Sequence, residues 1–313
     1  MPWWFFRRRG GSALSTDVTG RTGGKGWRLG EVALPRLQGR RRYLQEQPYL
    51  LPKDLGEVNR LDFQHYMLRA ALRGNYLAPI GQPRRILDVG CGTGRWAIEL
   101  AQQFPQAEVI GVDVEQAKST SRMPSNYRFV RGDVLQGLPF EENTFDFVHQ
   151  RLLLLAIPLA AWPGVVQELA RVTAPGGWVE LTEGGISPND FVPCGPATQQ
   201  LLDWMGQLAA LRGLDAEGVV MRSLERYLAE AGLINIQRHF LGWPIGDWGG
   251  RLGSLMALDF KEGAKAISAP VAARFGCSEQ EVLKIIEKAR DEWDTLQTRG
   301  FGMIAYGQKP TNS

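Results

Sequence analysis

Three glycines at alternate positions, Gly90, Gly92 and Gly94, close the apolar run Ile86-Leu87-Asp88-Val89 and open a helical pattern over 95–104. Glycine lets the backbone turn sharply and come close to a ligand, and a helix N-terminus adds free N–H groups in the same place. A second apolar run, Val109-Ile110-Gly111-Val112, ends on Asp113, 19 residues after Gly94. A carboxylate at that strand end lies beside the glycine loop and can accept hydrogen bonds from both ribose hydroxyls of a nucleoside. The pattern therefore predicts a nucleoside-cofactor site.

The spacing narrows the choice of cofactor. A dinucleotide fingerprint needs a third glycine where Arg95 stands, so that motif is absent. With Asp88 two residues before the first glycine, the segment resembles the first motif of the class I S-adenosylmethionine (SAM)-dependent methyltransferases. The resemblance continues through Arg131-Gly132-Asp133 after the strand-like Tyr127-Arg128-Phe129-Val130. Phe145-Asp146-Phe147-Val148-His149 and Ala174-Pro175-Gly176-Gly177-Trp178-Val179-Glu180 follow in the family's order. Upstream, Glu57-Val58-Asn59-Arg60-Leu61-Asp62-Phe63-Gln64-His65-Tyr66, together with Trp96-Ala97-Ile98, is similar to the subfamily of fungal secondary-metabolism regulator methyltransferases and their bacterial relatives.

That resemblance implies an α/β, Rossmann-like fold. Its sheet has seven strands, mostly parallel, with the last strand antiparallel between the fifth and sixth, and N-terminal and C-terminal helical segments cap it. It implies SAM as cofactor and S-adenosylhomocysteine (SAH) as product. Gly90, Gly92 and Gly94 would approach the methionine part and ribose, with Cys91 as the small packing residue among them. Asp88 would orient the loop and the amino group, and Asp113 would bind the ribose. Val114 would pack on the adenine, with Asp133 accepting from the adenine amino group and Val134 beside it. Tyr66 and His65 would sit on a helix that covers the pocket. His149 has two readings: a base for methyl transfer, or a ring turned into the protein whose backbone alone meets the cofactor. Glu183, ending the fifth strand, is the third candidate base or substrate anchor.

Charge is unevenly distributed. Residues 1–42 carry ten Lys/Arg against two Asp/Glu, so the remainder is net acidic and lacks an electrostatic footprint for nucleic acid. Cys91, Cys194 and Cys277 are scattered without C-x-x-C spacing, which points to a reducing compartment, hence the cytoplasm, and to neither a disulfide framework nor structural zinc. No His/carboxylate cluster has metal-ligand spacing. No apolar run approaches the roughly 20 residues that span a bilayer. The opening Trp3-Trp4-Phe5-Phe6-Arg7-Arg8-Arg9 reads either as a flexible tail or as an interfacial anchor.

The chain divides into a basic tail over 1–44, a helical lid segment over 45–80 and a methyltransferase domain over 81–313. Strands are expected at 85–90, 107–113, 127–132, 145–150 and 177–183, alternating with helices at 94–104 and 160–173, and so forming a parallel sheet. A helical insertion is expected over about 247–300, its second helix opened by the capping box Ser278/Glu281. Trp162, Trp178, Trp204, Trp243 and Trp248 suggest an aromatic-lined pocket for a small molecule. The expected activity is methyl transfer to oxygen or nitrogen of a specialised metabolite. The alternatives are a protein or RNA acceptor docked through the tail, and a SAM-binding regulator without turnover.

Overall fold

The computed structural model describes residues 55–116 and 123–311. The basic tail over 1–44 and the first residues of the expected lid segment lie outside the described residues. Five apolar strands run parallel at the centre: β1 (Arg85–Val89), β2 (Glu108–Asp113), β3 (Tyr127–Arg131), β4 (Phe145–Arg151) and β5 (Thr173–Gly184). β1, β2 and β4 are near-continuous runs of buried residues, as befits strands covered on both faces, while β3 at the sheet edge is more exposed. Three further strands complete the sheet: β6 (Phe191–Val192), β7 (Ile234–Pro244) and β8 (Arg299–Gln308). The order is β3-β2-β1-β4-β5-β8, with β7 on the far side of β8. The last strand is thus antiparallel and lies between the fifth and the next long strand, as expected.

Among the described residues the sheet has eight strands where seven were expected. The extra one is the dipeptide β6, which pairs with Gly300 and Arg299 and so continues the ladder that β5 leaves at Gly302. The lid segment is also shorter than expected. Helix α1 (Leu55–Leu72) stops at Arg73, whose φ of 56° cannot continue a helix, and 73–84 is irregular.

Helix α2 (Arg95–Gln103) covers one face of the sheet through Trp96, Ile98 and Leu100. Helices α3 (Trp162–Val172) and α5 (Val219–Glu230) cover the other through Val166, Leu169 and Leu224. A separate apolar core holds the cap together: α4 (Pro196–Ala210), α6 (Gly250–Ala266), α7 (Ser268–Phe275) and α8 (Glu279–Thr295) meet around Leu201, Ile267, Ile286 and Trp293. The insertion therefore has three helices rather than two, because the chain leaves helical geometry at Ile267 before α7 begins. The expected Ser278/Glu281 capping box opens α8. Glu292 of α8 also accepts the N–H groups of Ala197 and Thr198 at 2.8 Å each, closing the N-terminus of α4, which has no cap of its own.

The irregular segment after α1 is held by a buried acid. Glu180 of β5 accepts the N–H groups of Leu77 and Ala78 at 2.8 and 2.7 Å, and burial pushes its pKa up to about 7. The unfolded chain has an ordinary glutamate near 4.3, so the folded state holds the extra proton between those values and stability falls as pH rises through that window. In urea unfolding, wild type should lose stability relative to Glu180→Gln from about pH 5 to about pH 7, by up to about 1.4 kcal/mol per pH unit. A pH-independent difference between the two would remove Glu180 from this role.

Candidate functional site

The glycine loop leaves β1 in the left-handed region at Gly90, Gly92 and Gly94, with φ of 67°, 54° and 74°. The N–H groups of Gly90 and Cys91 both donate to the carbonyl of Val112 on β2, at 2.8 and 3.1 Å. A Cβ at Gly90 would lie 2.7 Å from the methyls of Leu153. Gly90, Cys91, Gly92 and Thr93 line one large cavity of about 280 Å³ at the carboxyl ends of the parallel strands. Gly94 does not line it. It caps α2, and its Cβ would lie 2.6 Å from the Tyr127 hydroxyl, so its glycine is required by packing rather than by a ligand. Cys91 lines the cavity while its Sγ packs back on Gly111 of β2.

Asp88, Asp113, Val114, Asp133 and Val134 line the same cavity. Asp113 is oriented by the loop itself: Gly92 N–H donates to its Oδ2 at 3.0 Å, and Glu115 N–H to its Oδ1 at 3.3 Å. Asp133 accepts from Leu135 N–H at 3.0 Å and starts a short 3₁₀ turn along the wall. Thus the carboxylates at the ends of three adjacent strands, β1, β2 and β3, converge on one space.

Two of the three expected catalytic side chains lie elsewhere. His149 is 1 % exposed and its ring stacks on Trp96 at 3.8 Å and 5°. Its Nδ1 sits 2.9 Å from Asp88 Oδ1, burial holds its pKa below the ordinary histidine value, and the neutral ring donates to that carboxylate. Of the two readings of His149, the ring turned into the protein is the one found, and that of a base facing methyl transfer is corrected: His149 orients Asp88 from behind. His65 is equally buried, with Nδ1 3.0 Å from Arg151 Nη2 and Nε2 3.2 Å from Glu99 Oε1. Tyr66 packs edge-on against His65 and lies under the Arg95 guanidinium at 5.7 Å. Neither residue lines the cavity, so the roles expected of both are corrected too.

Helix α1 instead turns Arg60, Leu61, Gln64, Met67 and Leu68 to the cavity, a helical face offset from the one the sequence suggested. Arg60 Nη1 pairs with Asp259 Oδ1 at 2.8 Å and Gln64 donates to Asp259 Oδ2 at 3.0 Å, which joins α1 to α6 across the opening. Asp62–Arg95 at 2.7 Å and Arg69–Glu99 at 3.1 Å join its other side to α2.

Glu183 does line the cavity. Its two oxygens accept the N–H groups of Leu153 and Leu154 at 2.8 and 3.2 Å, and burial pushes its pKa up to about 8. Beyond it the wall is apolar, with Leu155, Ile186, Met205, Met256 and Phe260. Of the five tryptophans of the second half, several of which were expected near the pocket mouth, only Trp243 lines it. Trp162 is core, Trp178 meets Tyr306, Trp204 stacks on Phe275, and Trp248 lies under Arg299. The sequence reading placed aromatics where methionines and leucines do the lining. Among the described residues no group of three His, Cys, Asp or Glu could hold a metal, and no helix is long and apolar enough to cross a membrane.

Comparison with known proteins agrees with this geometry. Residues 86–177, from β1 to the start of β5, match the methyltransferase-domain family. The methyltransferase pytC of Aspergillus terreus is 30% identical over 262 residues, covering 78% of this chain and 77% of its own. The chain belongs to this methyltransferase family. Methyltransferase str3 of Strobilurus tenacellus is 40% identical over 136 residues, 43% of this chain and 48% of its own. The secondary metabolism regulator laeA of Aspergillus flavus is 27% identical over 279 residues, 84% of this chain and 74% of its own. Helix α1 and the cap beyond β5 lie outside the family-matched segment of this methyltransferase.

The packing role of Gly94 is open to direct test. Gly94→Ala should lower stability by at least about 1–2 kcal/mol, the cost of a left-handed alanine before the contact with Tyr127 is added. Unchanged urea unfolding would show that the loop relaxes freely around Gly94.

Proposed function

We propose that this methyltransferase moves a methyl group from SAM to oxygen or nitrogen of a small, largely apolar acceptor. The carrying observation is that one cavity joins a wall of three strand-end carboxylates and a glycine loop to an apolar chamber closed by α1 and α6. The residues fit a nucleoside cofactor. A side chain at Gly90 would be strained by its positive φ and would press on Leu153, the loop exposes backbone beside Asp113, and Asp113 and Asp133 end adjacent parallel strands. SAM supplies a methyl group already activated on a sulfonium sulfur, so the protein's task is alignment and exclusion of water.

In this reading Asp113 accepts from the ribose hydroxyls, and Val114 and Val134 flank the adenine, whose amino group Asp133 meets. Gly90, Cys91 and Gly92 give the amino-acid portion a close backbone, with Asp88 held in place by His149. The acceptor enters the chamber between Met67, Met205, Met256, Trp243 and Phe260. The ion pair Arg60–Asp259 bridges α1 and α6 over that chamber. Glu183 is the base: it lines the cavity and its pKa near 8 lets it take a proton from a hydroxyl or ammonium group. Transfer to a protein or RNA would need an opening wide enough for a polymer, and the paired α1 and α6 favour the small molecule. A second reading, a SAM-binding regulator without turnover, is supported by the laeA relatives' name alone.

Asp113→Ala should weaken SAH binding by about 1–3 kcal/mol in calorimetry, the scale of a lost charged hydrogen-bond partner; unchanged affinity would refute the ribose role. A base must be deprotonated to act, so turnover should rise with pH toward a plateau above about 8. Glu183→Gln should keep SAH affinity and abolish that rise. A variant retaining the wild-type pH profile would exclude Glu183 as base. Label transfer from methyl-labelled SAM into the small-molecule fraction of a cell extract distinguishes the enzyme from the regulator.

A further inference from the structure

Arg151 is the last residue of β4, beside Gln150, which is in register with Val89 just before the glycine loop. Its side chain is partly buried and lines the cavity together with Asp88 and Gly90. Its hydrogen-bond partner is His65 Nδ1 at 3.0 Å. That geometry makes Nδ1 the acceptor and leaves the His65 proton on Nε2, toward Glu99 at 3.2 Å. The other carboxylates of the neighbourhood are engaged elsewhere: Asp88 with His149, Glu99 with Arg69 and Asn75, and Asp259 with Arg60 and Gln64. Among the described residues no carboxylate lies within ion-pair distance of Arg151.

A guanidinium carries five N–H donors, and a neutral imidazole satisfies one. Asp88 and Glu99 act on Arg151 only from beyond ion-pair distance, so holding such a group against an apolar wall is costly, and the cost is offset when a ligand brings an anion into contact. The fork of the guanidinium matches a carboxylate in two parallel hydrogen bonds. A phosphate would meet the three carboxylates Asp88, Asp113 and Asp133 on the same wall, with Arg151 as the cation left to balance it.

We propose that Arg151, steered by the Glu99–His65 pair, is the carboxylate-binding residue of this cavity. It takes either the carboxylate of the methyl donor's amino-acid end or that of an acidic apolar acceptor. The inference rests on the SAM reading above. It gives His65, buried away from the cavity, a defined use: the neutral ring fixes the direction of a guanidinium that does line the cavity.

The test compares SAH with S-adenosyl-3-thiopropylamine, which is SAH without its carboxyl group, by titration calorimetry on the full chain. Wild type should prefer SAH by about tenfold to a hundredfold, the scale of a charge-assisted hydrogen bond. Arg151→Met should erase that preference and change affinity for the thiopropylamine by less than about threefold, which also shows that the variant is folded. Arg151→Lys, keeping charge without the fork, should fall between. If the preference survives in Arg151→Met, the SAH-saturated protein is titrated with decanoate and decanol. A decanoate preference lost in the variant then assigns Arg151 to the acceptor. If Arg151→Met changes neither preference, or wild type has neither, the proposal is overturned. If wild type binds neither nucleoside, the cofactor reading fails, and this inference with it.

Discussion

One carbonyl organises the cofactor end of this protein. The oxygen of Val112 accepts two consecutive N–H groups, from Gly90 and Cys91, and so folds the end of β1 onto β2. Both lone pairs of that oxygen are used, which leaves the loop little freedom to lift from the sheet. The turn then delivers Gly92 N–H to Asp113, the residue following Val112, so loop and carboxylate hold each other in place. Positive φ at three alternate residues is the condition for this path, and a side chain at Gly90 or Gly94 would strike Leu153 or Tyr127. The site's backbone and its acid are therefore one construction.

The same economy recurs on β5, whose two buried glutamates each hold a pair of consecutive backbone N–H groups. Glu180 reaches toward the α2 side and fixes Leu77 and Ala78, while Glu183 at the strand end fixes Leu153 and Leu154. The first ties down the stretch leading from α1 into β1, and the second ties down the loop that follows β4. Both acids are raised in pKa because burial disfavours the anion more than two backbone donors restore it. A strand near the middle of the sheet thus fixes both the approach to β1 and, through Leu153 and Leu154, one wall of the cavity.

Much of this was legible in the chain because it depends on local spacing. The alternating strands, the glycine loop and Asp113 follow from period and turn chemistry, Asp133 follows from the family resemblance, and each lies at the strand end where it was expected. The errors have a common cause, which is direction of side chains. His149 alternates with Val148 and Gln150 on one strand, and the pattern alone does not say which face meets α2; stacking on Trp96 decides it. His65 and Gln64 are neighbours on α1, and 100° of helical rotation separates a residue in the cavity from one behind it. Arg60 and Gln64, four apart, could have been read as one face; Asp259, nearly 200 residues away, could not. The dipeptide strand β6 carries no local signal, since it depends on what the segment packs against, whereas the break at Ile267 is signalled by Pro270 in the first turn of α7.

The division between shared and particular parts of the molecule follows from these contacts. The segment matched by the methyltransferase family ends at residue 177, so it contains the glycine loop, Asp113, Asp133 and Arg151 but neither Glu183 nor the cap. The cap has its own apolar core around Ile286 and Trp293, distinct from the cores under the sheet, and it meets the site through Met205, Trp243, Met256 and Phe260. A separate core lets those four side chains change without disturbing the strands that hold the carboxylates. The cofactor wall is constrained by backbone hydrogen bonds that only glycine permits, whereas the acceptor wall is constrained mainly by volume. On the proposed reading, acceptor choice belongs to α1, α4, α6 and β7, and the ion pair between Arg60 and Asp259 joins the first of these to α6.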